Sequence, residues 1–367
     1  MGRVQMARGT GMAEVRHLKK LYDLLGSDRL RAGVLQAAEA LGMRKNVLRM
    51  DTNDVCNIEC IMCENRPQKC TEEHMMPLPR FNALLERVGP AARLLYLSCS
   101  YEPLMTPGFI DYIASAKDRG IPFVSFATNG LLLDDTIMKF MVERPVDELV
   151  ISMNGFARDD YHRIMFRSNF DAVTEKLARL RELKRSRNSA FPRLRVNTIL
   201  MKTNLLRFDE AMAFVEEYGA STVQFRSFKV DERHNNNPGE IAKERLSRLA
   251  PAEIASFASH IREKVHELSR KGITVIVPRE ILEKGTISEA GDSSARGSCS
   301  IPFFSQWVDF KGNLRICCGE HEDSCIGNVI DDDPGEVRKK RDAFRAQALS
   351  GKCRKNCTMF INSSTMT

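Results

Sequence analysis

Apolar positions along the chain switch repeatedly between two periods. Short apolar or alternating runs at 48–54, 94–99, 123–128, 148–153, 194–201 and 222–228 predict six strands. Between them, 80–88, 109–119, 134–143, 170–186 and 209–218 carry apolar residues three and four apart and predict helices. Gly120 and Gly219 follow two of these helices and suit their C-caps. Strands separated by helices imply an α/β chain with a mainly parallel sheet and right-handed crossovers. The alternation alone admits a doubly wound sheet or a barrel.

The flanks read differently. Leu18, Leu21, Tyr22, Leu24 and Leu25 make one apolar helical face, and Leu30, Val34, Leu35 and Ala38 another. They predict a helical arm over 1–47, ahead of a strand–helix unit over 48–235. Asn235-Asn236-Asn237-Pro238-Gly239 reads as the loop closing that unit. A helix over 251–270, a strand over 273–277 and a Gly/Ser-rich linker over 285–298 predict a connector spanning 236–297. In 298–367, two short strands at 307–310 and 314–316 flank the turn Lys311-Gly312-Asn313, and 335–349 reads as a helix.

Composition narrows the class. The 367 residues are 43% hydrophobic and 28% charged, as in an ordinary globular protein with room for one large and one small domain. No apolar run reaches the roughly 18 residues of a membrane span, and the first residues lack a signal core. The expectation is a cytoplasmic protein with no membrane partner. The net charge is +7, and residues 1–50 hold ten Lys and Arg against four Asp and Glu. A solvated helical arm is the favoured reading of that balance. With no aromatic-interleaved basic patch, nucleic acid is not a leading partner. Lys176, Arg179, Arg181, Lys184, Arg185 and Arg187 read as a solvated helix face.

Eleven cysteines change the picture, because they cluster. Cys56, Cys60 and Cys63 stand at C-x3-C-x2-C just after the first strand. Zinc sites usually pair cysteines as two C-x2-C arms. Three thiolates on a post-strand loop can instead hold three irons of a [4Fe–4S] cube and leave the fourth open. A structural or zinc-bound triad is the bland alternative. The stretch resembles the signature of the radical S-adenosylmethionine (SAM) superfamily. That resemblance implies a partial (β/α)6 TIM-like barrel with its site at the strand C-termini, and an open iron that chelates the amino and carboxylate groups of SAM.

Further motifs extend the resemblance. Ser100-Tyr101-Glu102-Pro103 follows the second strand and resembles the family's Gly-Gly-Glu-Pro, with Ser100 and Tyr101 in place of the glycines. The resemblance implies that Glu102 accepts a hydrogen bond from the SAM ammonium, a charge-assisted pair. Thr128-Asn129-Gly130 matches a family turn after the third strand. Ser152-Met153-Asn154-Gly155 resembles its Ser-x-Asp-Gly turn, with Asn154 in the Asp place. Ser152 is then a candidate for a ribose hydroxyl and Asn154 for SAM or substrate. Met62 takes a position that is usually aromatic and near adenine, or it is filler. Asn197, Gln224 and Arg226 on the last two strands are either satisfied barrel residues or substrate contacts.

A second cysteine group sits at the C-terminus: Cys299, Cys317-Cys318, Cys325, Cys353 and Cys357. A cysteine, a Gly-turn hairpin, a cysteine five residues after the Gly, a helix and a terminal cysteine pair resemble the SPASM/twitch extension of the superfamily. The cysteine number fits the shorter twitch form over 298–367. By that resemblance Cys299, Cys317, Cys353 and Cys357 hold one auxiliary [4Fe–4S] cluster, with a zinc knuckle as the alternative. A full set of four thiolates favours electron transfer or structure over substrate binding.

The resemblance implies reductive cleavage of SAM to a 5′-deoxyadenosyl radical that takes hydrogen from a C–H bond, fed by an external flavodoxin- or ferredoxin-type reductant. The leading expectation is an oxidising or rearranging enzyme on a polar substrate, a carbohydrate-type small molecule or a peptide, with the auxiliary cluster taking up an electron. The runner-up is an epimerase with a cysteine hydrogen donor. Cys70, Cys99, Cys318 and Cys325 are left after the seven ligands, and Cys318 is best placed. A non-catalytic iron–sulfur carrier or zinc protein is the third reading.

Overall fold

In a computed structural model of the protein, the described residues are 30, 33–34, 37, 41–42, 46–63, 70–98, 100–144, 146–227, 237–278, 301–316 and 325–349. Their strands, in chain order, are β1 (Asn46–Met50), β2 (Glu59–Cys60), β3 (Ala92–Leu97), β4 (Phe123–Thr128), β5 (Glu148–Ser152), β6 (Met165–Phe166), β7 (Arg193–Leu200), β8 (Thr222–Ser227), β9 (Thr274–Ile276), β10 (Ser305–Val308), β11 (Asn313–Arg315) and β12 (Cys325–Asn328).

Ten of these strands form one sheet in the order β12-β11-β10-β1-β3-β4-β5-β7-β8-β9. Every pairing from β10 through β1 to β9 is parallel. The arrangement is the mostly parallel α/β sheet expected of a partial barrel. Alternation along β7 shows how the two faces differ. Leu194, Val196 and Leu200 are buried in the apolar core, while Arg195, Asn197 and Ile199 are only half-buried. The core face packs on helices such as Leu78–Val88, which buries Phe81, Leu84 and Leu85. Each such side chain contributes roughly 1.5–3 kcal/mol. The other face lines a polar lumen.

Two expectations shift. The first strand ends at Met50 instead of 54, because Asp51, Thr52 and Asn53 leave the ladder and bury their side chains among neighbouring loops. The hairpin expected at 307–316 forms, but it is continuous with the barrel sheet: β10 lies parallel to β1, with Arg49 opposite Trp307. A helix at Arg158–Ile164 and the antiparallel pair β2–β6 were not foreseen.

The helices at Phe170–Ser186 and Pro251–Arg270 match their sequence pattern. Asn169 caps the first by accepting from Ala172 N, and Pro251 opens the second, where a missing N–H costs nothing. No helix among the described residues is long and apolar enough to cross a membrane. The basic arm lies mostly outside the described residues, as do Cys99, Cys299, Cys317, Cys318, Cys353, Cys357 and the 285–298 linker.

Candidate active site

The cysteine loop leaves the C-terminal end of β1 and is stitched into place before its first cysteine. Asn53 Nδ2 donates to Glu102 O (2.9 Å) and to Thr106 Oγ1 (2.7 Å), while its Oδ1 accepts from Val55 N (3.0 Å). Thr52 Oγ1 and Thr106 Oγ1 lie 2.8 Å apart. His74 Nδ1 meets Asp54 Oδ1 at 2.7 Å. Beyond Cys56, β2 pairs with β6, with Cys60 opposite Met165, and Ile61 N donates to Ile164 O (2.9 Å). Cys63 N closes the turn onto Cys60 O (3.0 Å). The unforeseen helix Arg158–Ile164 therefore forms part of the wall that shapes the loop.

Cys56, Cys60 and Cys63 are all free thiols, neither fully buried nor fully exposed. Burial pushes the Cys56 thiol up to about 11, with Glu102 and Cys63 adding to the rise against backbone N–H donors at Ile58 and Asn57. Burial also raises Cys60 well above its ordinary value, and Cys63 and Cys56 reinforce it. Three thiols that oppose one another's ionisation are poor ligands until a cation arrives. Bound iron deprotonates a coordinating thiol outright. The donor chemistry thus fits a cluster held by these three residues. Among the described residues no three His, Cys, Asp or Glu converge as the ligands of a single ion do. Thiolates that each bind a different iron need no such convergence.

Glu102 lies in the adjoining loop and is 1% exposed. Its Oε1 accepts from Thr128 Oγ1 (2.7 Å) and Leu104 N (3.1 Å), and its Oε2 from Asn129 N (2.8 Å). Burial lifts this carboxyl to about 7, against the lowering effect of those three donors. Glu102 N donates to Val55 O (3.0 Å), so the loop is also tied to the residue before Cys56. A carboxylate has about four acceptor positions, and three are taken within the chain.

Asn129 extends the seam. Its Nδ2 donates to Asn57 Oδ1 in the cysteine loop (2.7 Å), and its Oδ1 accepts from Leu131 N (2.9 Å). Thr128 Oγ1 also accepts from Gly130 N (3.0 Å). Gly130 has φ +83°, and a Cβ there would lie 3.1 Å from Val173 Cγ1, so the turn needs glycine.

The remaining candidates divide. Asn154 is 5% exposed and spends its Oδ1 on Ile199 N (2.8 Å), joining the turn after β5 to β7. Met62 packs into the apolar core and is 7% exposed. Ser152, Asn197 and Gln224 stand in register across β5, β7 and β8, and Arg226 lies opposite Ile199. Asn197 Oδ1 is buried with no hydrogen-bond partner. Deeper in the lumen Arg195 donates to Glu148 Oε2 (2.9 Å) and Gln224 Oε1 (3.1 Å), leaving Arg195 Nε, Glu148 Oε1 and Ser125 Oγ unpartnered. Cys70 and Cys325 are exposed.

Sequence reasoning missed Asn53, Asn57 and Asp51. Their signal was present: three polar residues, Asp51, Thr52 and Asn53, sit where a buried strand should have continued. Such groups are retained only when remote partners satisfy them.

Comparison with known proteins agrees with this geometry. Residues 50–215 match the Radical SAM superfamily. A GTP 3′,8-cyclase of Chlorobaculum tepidum is 28% identical over 194 residues, 52% of this chain and 54% of the relative. A tungsten-containing aldehyde ferredoxin oxidoreductase cofactor-modifying protein of Pyrococcus furiosus is 24% identical over 178 residues, 48% of this chain and 49% of the relative. The chain thus spans about half the length of these curated relatives. In fold it resembles Streptococcus suis SuiB bound to S-adenosylmethionine (TM-score 0.62, 12% identity, 88% of this chain and 71% of that one). It also resembles anSMEcpe with bound AdoMet (TM-score 0.58, 16% identity, 85% and 87%). The segment that matches the radical SAM superfamily, 50–215, contains the whole cysteine loop, and the fold is shared with these structures.

Proposed function

We propose that this radical SAM chain takes a hydrogen atom from a C–H bond of a polar substrate and oxidises or rearranges it. The observation that carries the reading is the seam of Asn57, Glu102, Thr128 and Asn129, which binds the three-cysteine loop to the turns after β3 and β4 at one end of the sheet. Active sites of parallel barrels sit at that end.

When bound, a [4Fe–4S] cluster and SAM supply a 5′-deoxyadenosyl radical, given one electron from a flavodoxin- or ferredoxin-type partner. In this reading Cys56, Cys60 and Cys63 ligate the cluster. Glu102 has one acceptor position left for the SAM ammonium, and its main work is to hold the loops on either side. Ser152 is the candidate for a ribose hydroxyl and Asn154 for SAM or substrate, and Thr128, Asn129 and Met62 shape the pocket. The polar lumen, with Asn197 Oδ1 lacking a donor, supports a substrate rich in hydroxyl or amino groups. Asn197 and Arg226 are the proposed contacts. The 298–367 segment is proposed as a twitch-like domain whose Cys299, Cys317, Cys353 and Cys357 hold an auxiliary [4Fe–4S] cluster that takes up an electron.

Within that reading the relatives favour rearrangement with ring formation over oxidation: two curated matches are named for a nucleotide cyclisation and for cofactor modification. Both concern small molecules, which tilts the substrate away from peptides. Epimerisation through Cys318 rests on the sequence alone.

The test is anaerobic reconstitution followed by iron analysis and reduction in the presence of SAM. The reading expects about eight irons per chain, two four-iron clusters, and formation of 5′-deoxyadenosine and methionine. Bound zinc without 5′-deoxyadenosine overturns it. In D2O, a product lighter by two hydrogens supports oxidation, an unchanged mass supports rearrangement, and deuterium at the reacting carbon supports epimerisation.

A further inference from the structure

Asp51 is the first residue beyond β1, and it is 3% exposed. Its two carboxylate oxygens serve two different parts of the molecule. Oδ1 accepts from Ser100 N (3.3 Å), in the Ser100–Pro103 loop after β3. Oδ2 accepts from Trp307 Nε1 (2.9 Å), on β10 of the C-terminal hairpin. The backbone repeats the joint: Asp51 N donates to Val308 O (3.1 Å), and Ser98 N donates to Met50 O (2.7 Å). One residue thus joins the end of β1, the loop that carries Glu102 and a strand more than 250 residues away in sequence.

The surroundings make this joint stiff. Ser98, at the end of β3, adopts φ +69°, and its Oγ donates to Tyr101 O. That left-handed turn sets the direction in which the loop leaves β3. Burial, joined by the charges of Asp51, Asp54, Cys63 and Asp309, pushes the Tyr101 phenol up to about 12. Asp309 in turn organises the hairpin turn by accepting from Lys311 N (3.0 Å) and Asn313 N (2.9 Å).

We propose that Asp51 is a positioning residue that couples SAM binding to the seating of the C-terminal hairpin, because the carboxylate that orients the Ser100–Glu102 loop also anchors Trp307. The inference rests on reading that loop as part of the SAM pocket. Linkage makes the coupling reciprocal: a hairpin seated on Asp51 favours the ordered loop, and an ordered, SAM-filled loop favours the seated hairpin. The segment proposed to carry the auxiliary cluster is then held in register with the radical site by a side chain that is not among the proposed ligands of either cluster.

Trp307 is the chain's single tryptophan, so its emission reports on the hairpin alone. In the reconstituted full-length protein, SAM is titrated while Trp307 emission is read, and bound SAM is measured separately by equilibrium dialysis. The wild type is expected to show a saturable emission change whose midpoint agrees with the dialysis value. Asp51→Asn keeps the shape but turns an amide donor toward one of two N–H groups. It is expected to abolish the emission response and weaken SAM binding about tenfold, the effect of leaving one buried donor unmet. Trp307→Phe keeps a ring, removes the donor, and is expected to weaken SAM binding in the same direction with iron content unchanged. If Asp51→Asn loses its iron, Trp307→Phe carries the comparison. Normal SAM affinity in Trp307→Phe, or SAM binding by the wild type without any change in emission, overturns the coupling and leaves the SAM reading intact. A wild type with full iron that binds no SAM overturns both.

Discussion

Asn129 Nδ2 donates to Asn57 Oδ1 at 2.7 Å, across 72 residues of sequence, and so pins the middle of the cysteine loop to the turn after β4. Asn57 follows Cys56 directly. The bond therefore controls where the first thiol points relative to the Glu102 loop, which the same asparagine meets through its backbone N–H.

This seam is separable by a double-mutant cycle. Asn57→Ala and Asn129→Ala each remove the side-chain bond and leave the Glu102 contact to Asn129 N in place. We expect a coupling of about 0.5–1.5 kcal/mol between them in unfolding free energy. Iron loss to a chelator should also be faster in either variant. Additive effects on both measurements count against the bond as an organiser of the loop.

Glu102 gives a pH dependence with a definite sign. Its carboxyl is lifted to about 7 in the folded protein by burial, so the folded state holds its proton in a range where the unfolded chain has released it. Stability from this group is fully present below the ordinary carboxyl value and is lost as pH rises through about 7. Urea unfolding of wild type should thus lose stability between roughly pH 4.5 and 7 and level off above that range. Glu102→Gln should flatten the profile and lower stability overall, because a glutamine cannot accept from Thr128, Leu104 and Asn129 together. A variant with the wild-type slope assigns the pH dependence elsewhere.

Gly155 stands against the backbone of the next helix. A Cβ there would lie 2.5 Å from Tyr161 N and 2.6 Å from its Cα, both rigid atoms. Gly155→Ala must push the helix Arg158–Ile164 away, and with it the β6 strand that pairs with Cys60. We expect a loss of about 1–3 kcal/mol, the usual cost of overpacking, together with poorer iron incorporation. Wild-type thermal stability in this variant contradicts the packing described.

In the lumen, Arg195 and Glu148 form an ion pair with side chains 18% and 5% exposed. Arg195→Met leaves a buried carboxylate whose Oε1 already has no partner, and should cost about 3–5 kcal/mol. The double variant Glu148→Gln with Arg195→Met should recover much of that loss. Calorimetry of these two variants and of Glu148→Gln alone distinguishes a true pair from two independent groups.

Asn197 predicts the opposite balance of stability and function. Its Oδ1 is already a buried acceptor without a donor, so Asn197→Ala should leave unfolding free energy within about 1 kcal/mol of wild type. If it contacts substrate as proposed, KM rises or product falls while SAM cleavage without substrate is unchanged. An unaltered KM and kcat remove Asn197 from the substrate site.

Much of the barrel was legible because its signals are local. The runs at 123–128 and 148–153 are short and largely apolar, and they form β4 and β5, buried on both faces as strands enclosed in a sheet are. The helix at 170–186 is bounded by Asn169, which caps it, and by the end of its apolar spacing. The helix Arg158–Ile164 was not legible. It is two turns long, and its place is set by contact: Tyr161 lies edge-on to Phe170, with ring centroids 5.4 Å apart. The end of β1 was misjudged for a related reason. Asp51, Thr52 and Asn53 are satisfied by Ser100, Thr106, Glu102 and Trp307, none of which is near in sequence.

The sequence by itself determined the alternation of strands and helices, the three-cysteine loop after β1 and the carboxylate at Glu102, since periodicity and ligand spacing are properties of neighbouring residues. Tertiary structure alone decided that Glu102 turns inward to Thr128 and Asn129, that Asn154 serves Ile199 N, and that β10 lies beside β1 with Trp307 on Asp51. The physical reason is the same in each case. A buried polar group must find a partner, and which partner it finds depends on what the fold brings within about 3 Å of it.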